Sequence, residues 1–542
     1  MIRTLLLSLI VVFALTNVYG QNVPQTLAER TNYESTSSYN DVLNFIDQIK
    51  KSSKLVAVEN IGQTIEGRDI PLLIVANPLP KSPTDLINDK RVVVYIQANI
   101  HPGEVEGKEA SLMYIRDLLK DKNSEILKNA VLLVCPNLNA DGNERYSTKN
   151  RTNQNGPKSV GVRYNAQMLD LNRDGMKVES PEMRGVIANV INRWDPDVIM
   201  DCHTTNGAYH VEPVTFTWMM NPNGDRALIN YMRDKMMPKV SSVLLEKYKT
   251  ENCFYGEFVD MGDYSKGWIS YAAEPRYFTN YMGIRNRLSI LNENYVYADF
   301  KSRVLGCYHL IHSLMDYSSA NSAEIKSIVK DADAKTIAKG LNPSVADSFA
   351  ITYEGRPTPN KVTIQTYEAD KVVADNEWER YKKSDRRLDV TVDYIADYFA
   401  TKNVKSPFAY ILAIHDPAII NLLKLHGISV ERLDKTISLE VDKFVIEELK
   451  ATPRLNQGHY NETVKGRFVK ETKEFGAGTC IIRTSQRLGN LISYLLEPQT
   501  DDGLLFWNYF DKYLVPQWSR TYNPYPVYRV IDRTEIRSTV EK

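Results

Sequence analysis

The sequence predicts an α/β fold, a mixed sheet flanked by helices, followed by a β-rich C-terminal domain. Two observations carry this reading. Up to about residue 320, short apolar runs of strand length alternate with stretches of helical spacing, the pattern of helices packed on a buried sheet. From about residue 344 the texture changes to short strand-like runs, some alternating, with little helix between them.

In chain order, residues 40–50 place Val42, Leu43, Phe45, Ile46 and Ile49 at helical spacing. Residues 70–75 and 92–96 are continuous apolar runs of strand length, 105–119 is helical, and 130–135 is another buried strand. Residues 137–167 are long, polar and rich in Asn and Gly, a loop suited to covering a site. Residues 181–194 return to helix, 197–202 to strand, and 288–291 form a short strand. The helix 304–317 closes this domain, and the polar, charged stretch 318–342 is a helical connector. Beyond it, residues 361–367, 388–394, 409–413, 437–441 and 479–483 are expected as strands, with 418–425 the one clear helix.

Residues 1–20 stand apart. Arg3 supplies a positive charge, Leu5 to Leu15 is apolar, and Val18-Tyr19-Gly20 ends on a small residue, the order of a cleavable secretory signal. The apolar run is shorter than the ~20 residues a membrane span needs. The expected organisation is therefore a signal peptide at 1–20, a catalytic domain at 21–320, a connector at 321–343 and a β-rich accessory domain at 344–542. The mature chain is expected to be secreted or periplasmic, monomeric and without a transmembrane span.

Composition narrows the function class. A 43% hydrophobic and 25% charged chain has the make-up of a folded protein, which excludes wholesale disorder. Lys+Arg and Asp+Glu both number 67, so no charge excess points to nucleic acid or an anionic membrane. The five cysteines, Cys135, Cys202, Cys253, Cys307 and Cys480, are widely spaced and odd in number, which excludes a disulfide scaffold. Cys135 and Cys202 lie in apolar strands and read as buried thiols.

The sharpest chemical feature is His101-Pro102-Gly103-Glu104, after the strand 92–96 and before a helix. An imidazole and a carboxylate three residues apart in a tight turn can converge on one cation, and N/O ligands suit zinc. The same spacing recurs at His459 and Glu462, where it reads as a solvated loop. His203 follows the strand 198–202, at the carboxyl end where ligands sit in open α/β sheets. By itself it is as well explained by capping a loop, but beside His101 and Glu104 it reads as the third ligand. Two His and one Glu leave a fourth position open, the mark of a catalytic zinc site. Asn172 and Arg173, in Asp170-Leu171-Asn172-Arg173-Asp174, could grip a carboxylate through charge-assisted hydrogen bonds. Glu293, beyond the strand 288–291, could serve as a general base, with Glu274 the nearest alternative in sequence. His309 and His312 read as one helix face. There is neither a Gly-x-Ser-x-Gly elbow nor a phosphate-binding glycine loop.

In this order, His101-Pro102-Gly103-Glu104, Asn139-Ala140-Asp141-Gly142, Asp170-Leu171-Asn172-Arg173, His203 and Glu293 resemble the zinc carboxypeptidase family related to carboxypeptidase A. Residues 66–70 and 281–287 resemble that family's flanking segments, and the likeness covers roughly residues 35–318. Companion domains follow this catalytic domain in some secreted bacterial members. The resemblance implies one zinc ion held by His101, Glu104 and His203, and Glu293 moving a proton from the attacking water to the leaving amine. It also implies Asn172 and Arg173 holding the terminal carboxylate of a peptide or protein substrate. A carbonyl-polarising arginine is expected at Arg151, with Arg145 the alternative. The substrate-closing tyrosine is assigned to Tyr277, with Tyr271 and Tyr281 as alternatives.

Three rival functions remain on the sequence alone. Asp170 to Arg173 also resembles the motif of aspartoacylase-type deacylases, and a peptidase trimming cell-wall stem peptides would use the same centre. A catalytically weak protein that grips glycan or protein through its β-rich domain is the rival from another class. The signal peptide and the Glu293 segment argue against the deacylase, and retention of all three ligands and the glutamate argues against the binding protein.

Overall fold

The computed structural model describes residues 23–205, 208–373 and 379–541, so the signal-peptide expectation at 1–20 lies outside the described residues. The strands of the first part are β1 (Val56–Gln63), β2 (Asp69–Val75), β3 (Val92–Gln97), β4 (Ala130–Cys135), β5 (Val198–Thr204), β6 (Val214–Trp218), β7 (Asn252–Phe254), β8 (Glu257–Phe258), β9 (Trp268–Ile269) and β10 (Leu288–Asn294). All but β8 and β9 form a mixed eight-stranded sheet in the order β1-β2-β4-β3-β5-β10-β6-β7. Its centre, β4-β3-β5-β10, is parallel throughout.

The apolar runs form this sheet because both faces are covered. In β3, Val92, Val94 and Ile96 enter one core with Phe45, Leu112, Ile115, Val304 and Leu314, from helices Tyr39–Ser52, Glu106–Leu118 and Phe300–Ala320. The alternate residues Val93 and Tyr95 enter a second core with Met183, Ile187 and Met282. Burial on both sides explains why these strands read as continuous rather than alternating runs. Truncating one such residue to Ala should cost about 2–5 kcal/mol.

The C-terminal half is β-rich. Strands Ser348–Pro357 and Tyr394–Lys405 pair antiparallel, and the second also pairs with β9. Strands Val362–Val373 and Glu379–Val392 form a separate hairpin. A seven-stranded sheet carries the longest hairpin, Ile437–Ala451 with Glu462–Phe475. The expected helix is present as Pro417–Leu425. A second one, Gly489–Leu496, corrects the expectation of a single helix. At eight residues it is a short, strongly apolar run that periodicity alone does not separate from a buried strand.

The two halves share a core. Tyr410, Leu412, Phe444 and Ile482 of the seven-stranded sheet belong to the same apolar cluster as Ile187 and Met282. Among the described residues, no helix is long and apolar enough to cross a membrane.

Candidate metal centre and active site

Three neighbouring parallel strands bring the site together at their carboxyl ends. His101 lies just past β3, His203 near the end of β5 and Glu293 near the end of β10, in direct register with His203. The turn after β3 is tight. A Cβ on Gly103 would lie 2.5 Å from Arg151 Cγ, so glycine here allows Arg151 to reach Glu104. The segment Asn139 to Gly142 works as scaffolding. Asn139 caps Gly142 N–H, and Asp141 accepts from Thr64 Oγ1 and Arg68. Gly142 is needed because a Cβ there would lie 2.7 Å from Tyr164 O.

His101 Nδ1, His203 Nδ1 and Glu104 Oε2 form a triangle with sides of 3.1, 3.1 and 3.0 Å. Zinc ligands 2.0–2.1 Å from the ion at tetrahedral angles lie roughly 3.4 Å apart, so the triangle needs only slight expansion to hold one. All three side chains are buried. The far nitrogen of each imidazole meets a carboxylate, His101 Nε2 at 2.9 Å from Asp170 Oδ1 and His203 Nε2 at 2.9 Å from Asp201 Oδ2. Carboxylates in these places turn both Nδ1 lone pairs inward and raise their basicity, the usual support of a metal-binding histidine.

The electrostatics describe a pocket that demands positive charge. Burial opposes ionisation of Glu104, but His101 and Arg151 hold its carboxyl well below the usual range. Burial also opposes a charged His203, yet Asp201 and Glu104 hold it well above the usual imidazole value. A divalent cation in the triangle satisfies the same demand. Glu293 behaves oppositely. Burial pushes it up to about 8, with His203 pulling down and Glu104 pushing up.

A cavity of about 180 Å³ opens from the triangle, lined by Glu293, Asn172, Arg173, Tyr277, Thr279 and Leu291 among others. The single turn Leu171–Arg173 orients the first pair. Asn172 Oδ1 accepts from Phe278 N–H at 3.0 Å, and the Arg173 guanidinium lies 4.4 Å over the Tyr277 ring. Tyr271 also lines the cavity, edge-on to Tyr277. Tyr281 does not. It is buried in the second core, where its hydroxyl is 2.8 Å from His426 Nδ1.

Arg151 donates to Glu104 Oε1 at 2.8 Å and to the carbonyls of Thr204 and Thr205 at 3.0 Å. The alternative Arg145 pairs instead with Glu66 on the surface. The structure adds an arginine the sequence reading did not consider. Arg163 donates to Asp170 at 2.9 Å and to Glu104 at 3.3 Å, and lines the cavity. Nothing local in a polar loop marks it out. Asp201 was also missed, although its place two residues before His203 on a strand puts both on one face. Glu274, half-buried, lies outside the residues lining this cavity, and burial raises its carboxyl. His459, expected in a solvated loop, instead lies 2.9 Å from Glu179 Oε1, because its hairpin folds back on the first half.

Residues 42–210, which hold all of these positions up to His203, match the family model described as zinc carboxypeptidase. Carboxypeptidase 2 of Trichophyton rubrum is 19% identical over 508 residues, spanning 90% of this chain and 85% of its own. Carboxypeptidase 2 of Trichophyton tonsurans is 21% identical over 490 residues, spanning 86% and 81%. These relatives are fungal and lend no support to a specifically bacterial type. The solved carboxypeptidase A of Helicoverpa armigera aligns with 53% of this chain and 74% of its own at 19% identity, with a TM-score of 0.39.

Proposed function

We infer, from a chain that carries a zinc carboxypeptidase domain, that this site removes the C-terminal residue of peptides. His101, Glu104 and His203 would hold the zinc ion, supported by Asp170 and Asp201. When bound there, zinc supplies Lewis acidity, polarising the scissile carbonyl and lowering the pKa of the attacking water. Glu293, at the end of the neighbouring strand, takes the proton from that water and delivers it to the leaving amine.

The observation that carries exopeptidase action is Arg173, stacked on Tyr277 beside Asn172 in the cavity next to the triangle. A guanidinium and an amide match a free carboxylate, and with that carboxylate absent they are left unpaired in a partly dehydrated pocket. Tyr277 forms the wall that closes over the bound terminus. Arg151 is tied to Glu104 and two carbonyls and orders the ligand turn, and its neighbour Arg163, which lines the cavity, polarises the carbonyl. The accessory role of residues 344–542, the cleavable signal at 1–20 and export of the mature chain belong to the same proposal.

The test compares one good peptide as free acid and as C-terminal amide, with and without chelator. Wild type should cleave the acid and lose as much as ~10⁴-fold on the amide, because its own polar groups then go unsatisfied. Arg173→Ala should narrow that gap. Internal cleavage of the amide as fast as terminal cleavage of the acid would overturn the reading.

A further inference from the structure

A second cluster of metal-ligating side chains lies away from the first triangle and shares no residue with it. His210 and Glu212 immediately precede β6, and Cys253 lies on β7, paired with Thr215 of β6. Their ligand atoms all fall within 4.8 Å of one another. The side chains are nearly sealed, at 1%, 2% and 7% exposure for His210, Glu212 and Cys253.

His210 and Glu212 both keep ligand capacity that their neighbours leave unused. The His210 ring packs 3.8 Å from the Tyr295 ring, centroid to centroid, with Trp268 edge-on to it. Its Nδ1 is buried and has no hydrogen-bond partner among the described residues, although Glu212 Oε2 lies 3.5 Å away. A buried imidazole nitrogen left unpaired is costly unless something else takes it. Glu212 is pinned from outside. Its Oε1 accepts from Gln365 N–H at 2.9 Å and its Oε2 from Val211 N–H at 3.2 Å. Each oxygen keeps a further lone pair.

We propose that His210, Glu212 and Cys253 form a second metal site, binding a zinc-like divalent cation. The donor set is one imidazole nitrogen, one carboxylate oxygen and one thiolate. That combination selects a borderline ion such as zinc and excludes magnesium and calcium, which take oxygen ligands. The open fourth position falls to water from the cavity of about 490 Å³ that His210 lines. Bound there, the ion ties the segment before β6 to β7 and takes up the unpaired His210 nitrogen. Removing the ion should loosen that segment, because folding and metal binding are coupled at such a site.

The test is metal stoichiometry on the full chain, stripped with chelator and reloaded with zinc. Wild type should hold two equivalents per chain. Cys253→Ser, His210→Gln and His203→Ala should each hold one. Loading with cobalt(II) separates the sites, because thiolate-to-cobalt charge transfer absorbs in the near ultraviolet and the first triangle contains no sulfur. That band should appear in wild type and His203→Ala and vanish in Cys253→Ser. A wild type with one equivalent and no thiolate band overturns the proposal, as does a band that persists in Cys253→Ser. The wild-type spectrum decides the matter even if Cys253→Ser does not fold, with His210→Gln as the second variant.

Discussion

The side-chain oxygen of Gln457 accepts a 2.7 Å hydrogen bond from the backbone N–H of Asp170. Gln457 sits at the tip of the hairpin Ile437–Ala451/Glu462–Phe475, while Asp170 orients His101. It also lines a polar cavity with His101, Arg163 and Arg173. The β-rich half thus contributes to the rim of the metal centre. The same loop carries His459, whose bond to Glu179 fixes it a second time.

Gln457→Ala should loosen the metal slightly. Asp170 would still be held by Arg163 and by Asn172 N–H. Direct partners of metal-ligating histidines are worth about 10–100-fold in affinity, and Gln457 acts one step further out, so a loss under ~10-fold is expected. Competition against a chromophoric chelator measures it, and unchanged affinity would make the contact incidental.

Asp201→Ala should do more. Asp201 is fully buried, and its carboxylate, 2.9 Å from His203 Nε2 where Asn172 Nδ2 stands off at 3.4 Å, is the nearer group turning the Nδ1 lone pair inward. Zinc affinity should fall about 10–100-fold, with the fold kept, as read by zinc titration alongside circular dichroism. Wild-type affinity in this variant would mean that β5 geometry, not the carboxylate, orients the ring.

Glu293→Gln should keep zinc and lose hydrolysis by about 10²–10⁴-fold, the usual worth of a positioned general base. The base must be ionised, and burial favours its neutral form. The rate should therefore fall as pH drops through the Glu293 pKa. A nearby divalent cation brings that pKa below the value of about 8 that burial, His203 and Glu104 set without it. Steady-state rates across pH, with zinc content measured at each point, test this. An active Glu293→Gln enzyme would assign the proton transfer elsewhere.

Acid stability should depend on His426. Burial lowers its pKa from 6.5 to about 3, and its Nε2 and Nδ1 lie 3.0 Å from Met176 O and 2.8 Å from the Tyr281 hydroxyl. Between pH 6.5 and 3 the unfolded chain binds a proton that the folded chain refuses, so stability is lost as pH falls through that window. The full loss is roughly 3–5 kcal/mol. His426→Gln should flatten this part of the pH–denaturation curve. An unchanged curve would mean that other groups govern acid unfolding.

The sheet and its helices were legible because fully buried strands and amphipathic helices write their environment into local pattern. The runs that became β2 to β5 and β10 needed no partner to be recognised. The helix Gly489–Leu496 was missed because a short, strongly apolar run of eight residues reads equally well as a buried strand. His101, His203 and Glu293 were nameable from their places at strand ends and Glu104 from its spacing to His101, while Asn172 and Arg173, in a loop turn, stood out through the Asp170-Leu171-Asn172-Arg173 motif.

By itself, the sequence singled out the candidate site residues and the strands that present His101, His203 and Glu293, because those constraints act within a few residues. Only the tertiary structure decided what surrounds them. Asp170 and Asp201 behind the histidines, Arg151 and Arg163 rather than Arg145 beside Glu104, Tyr277 over Arg173 and Gln457 arriving from the far hairpin are all set by packing. So is the neighbourhood of His210, Glu212 and Cys253, which lies across two paired strands. Such meetings depend on chain segments far apart in sequence, and no local spacing encodes a distance between them.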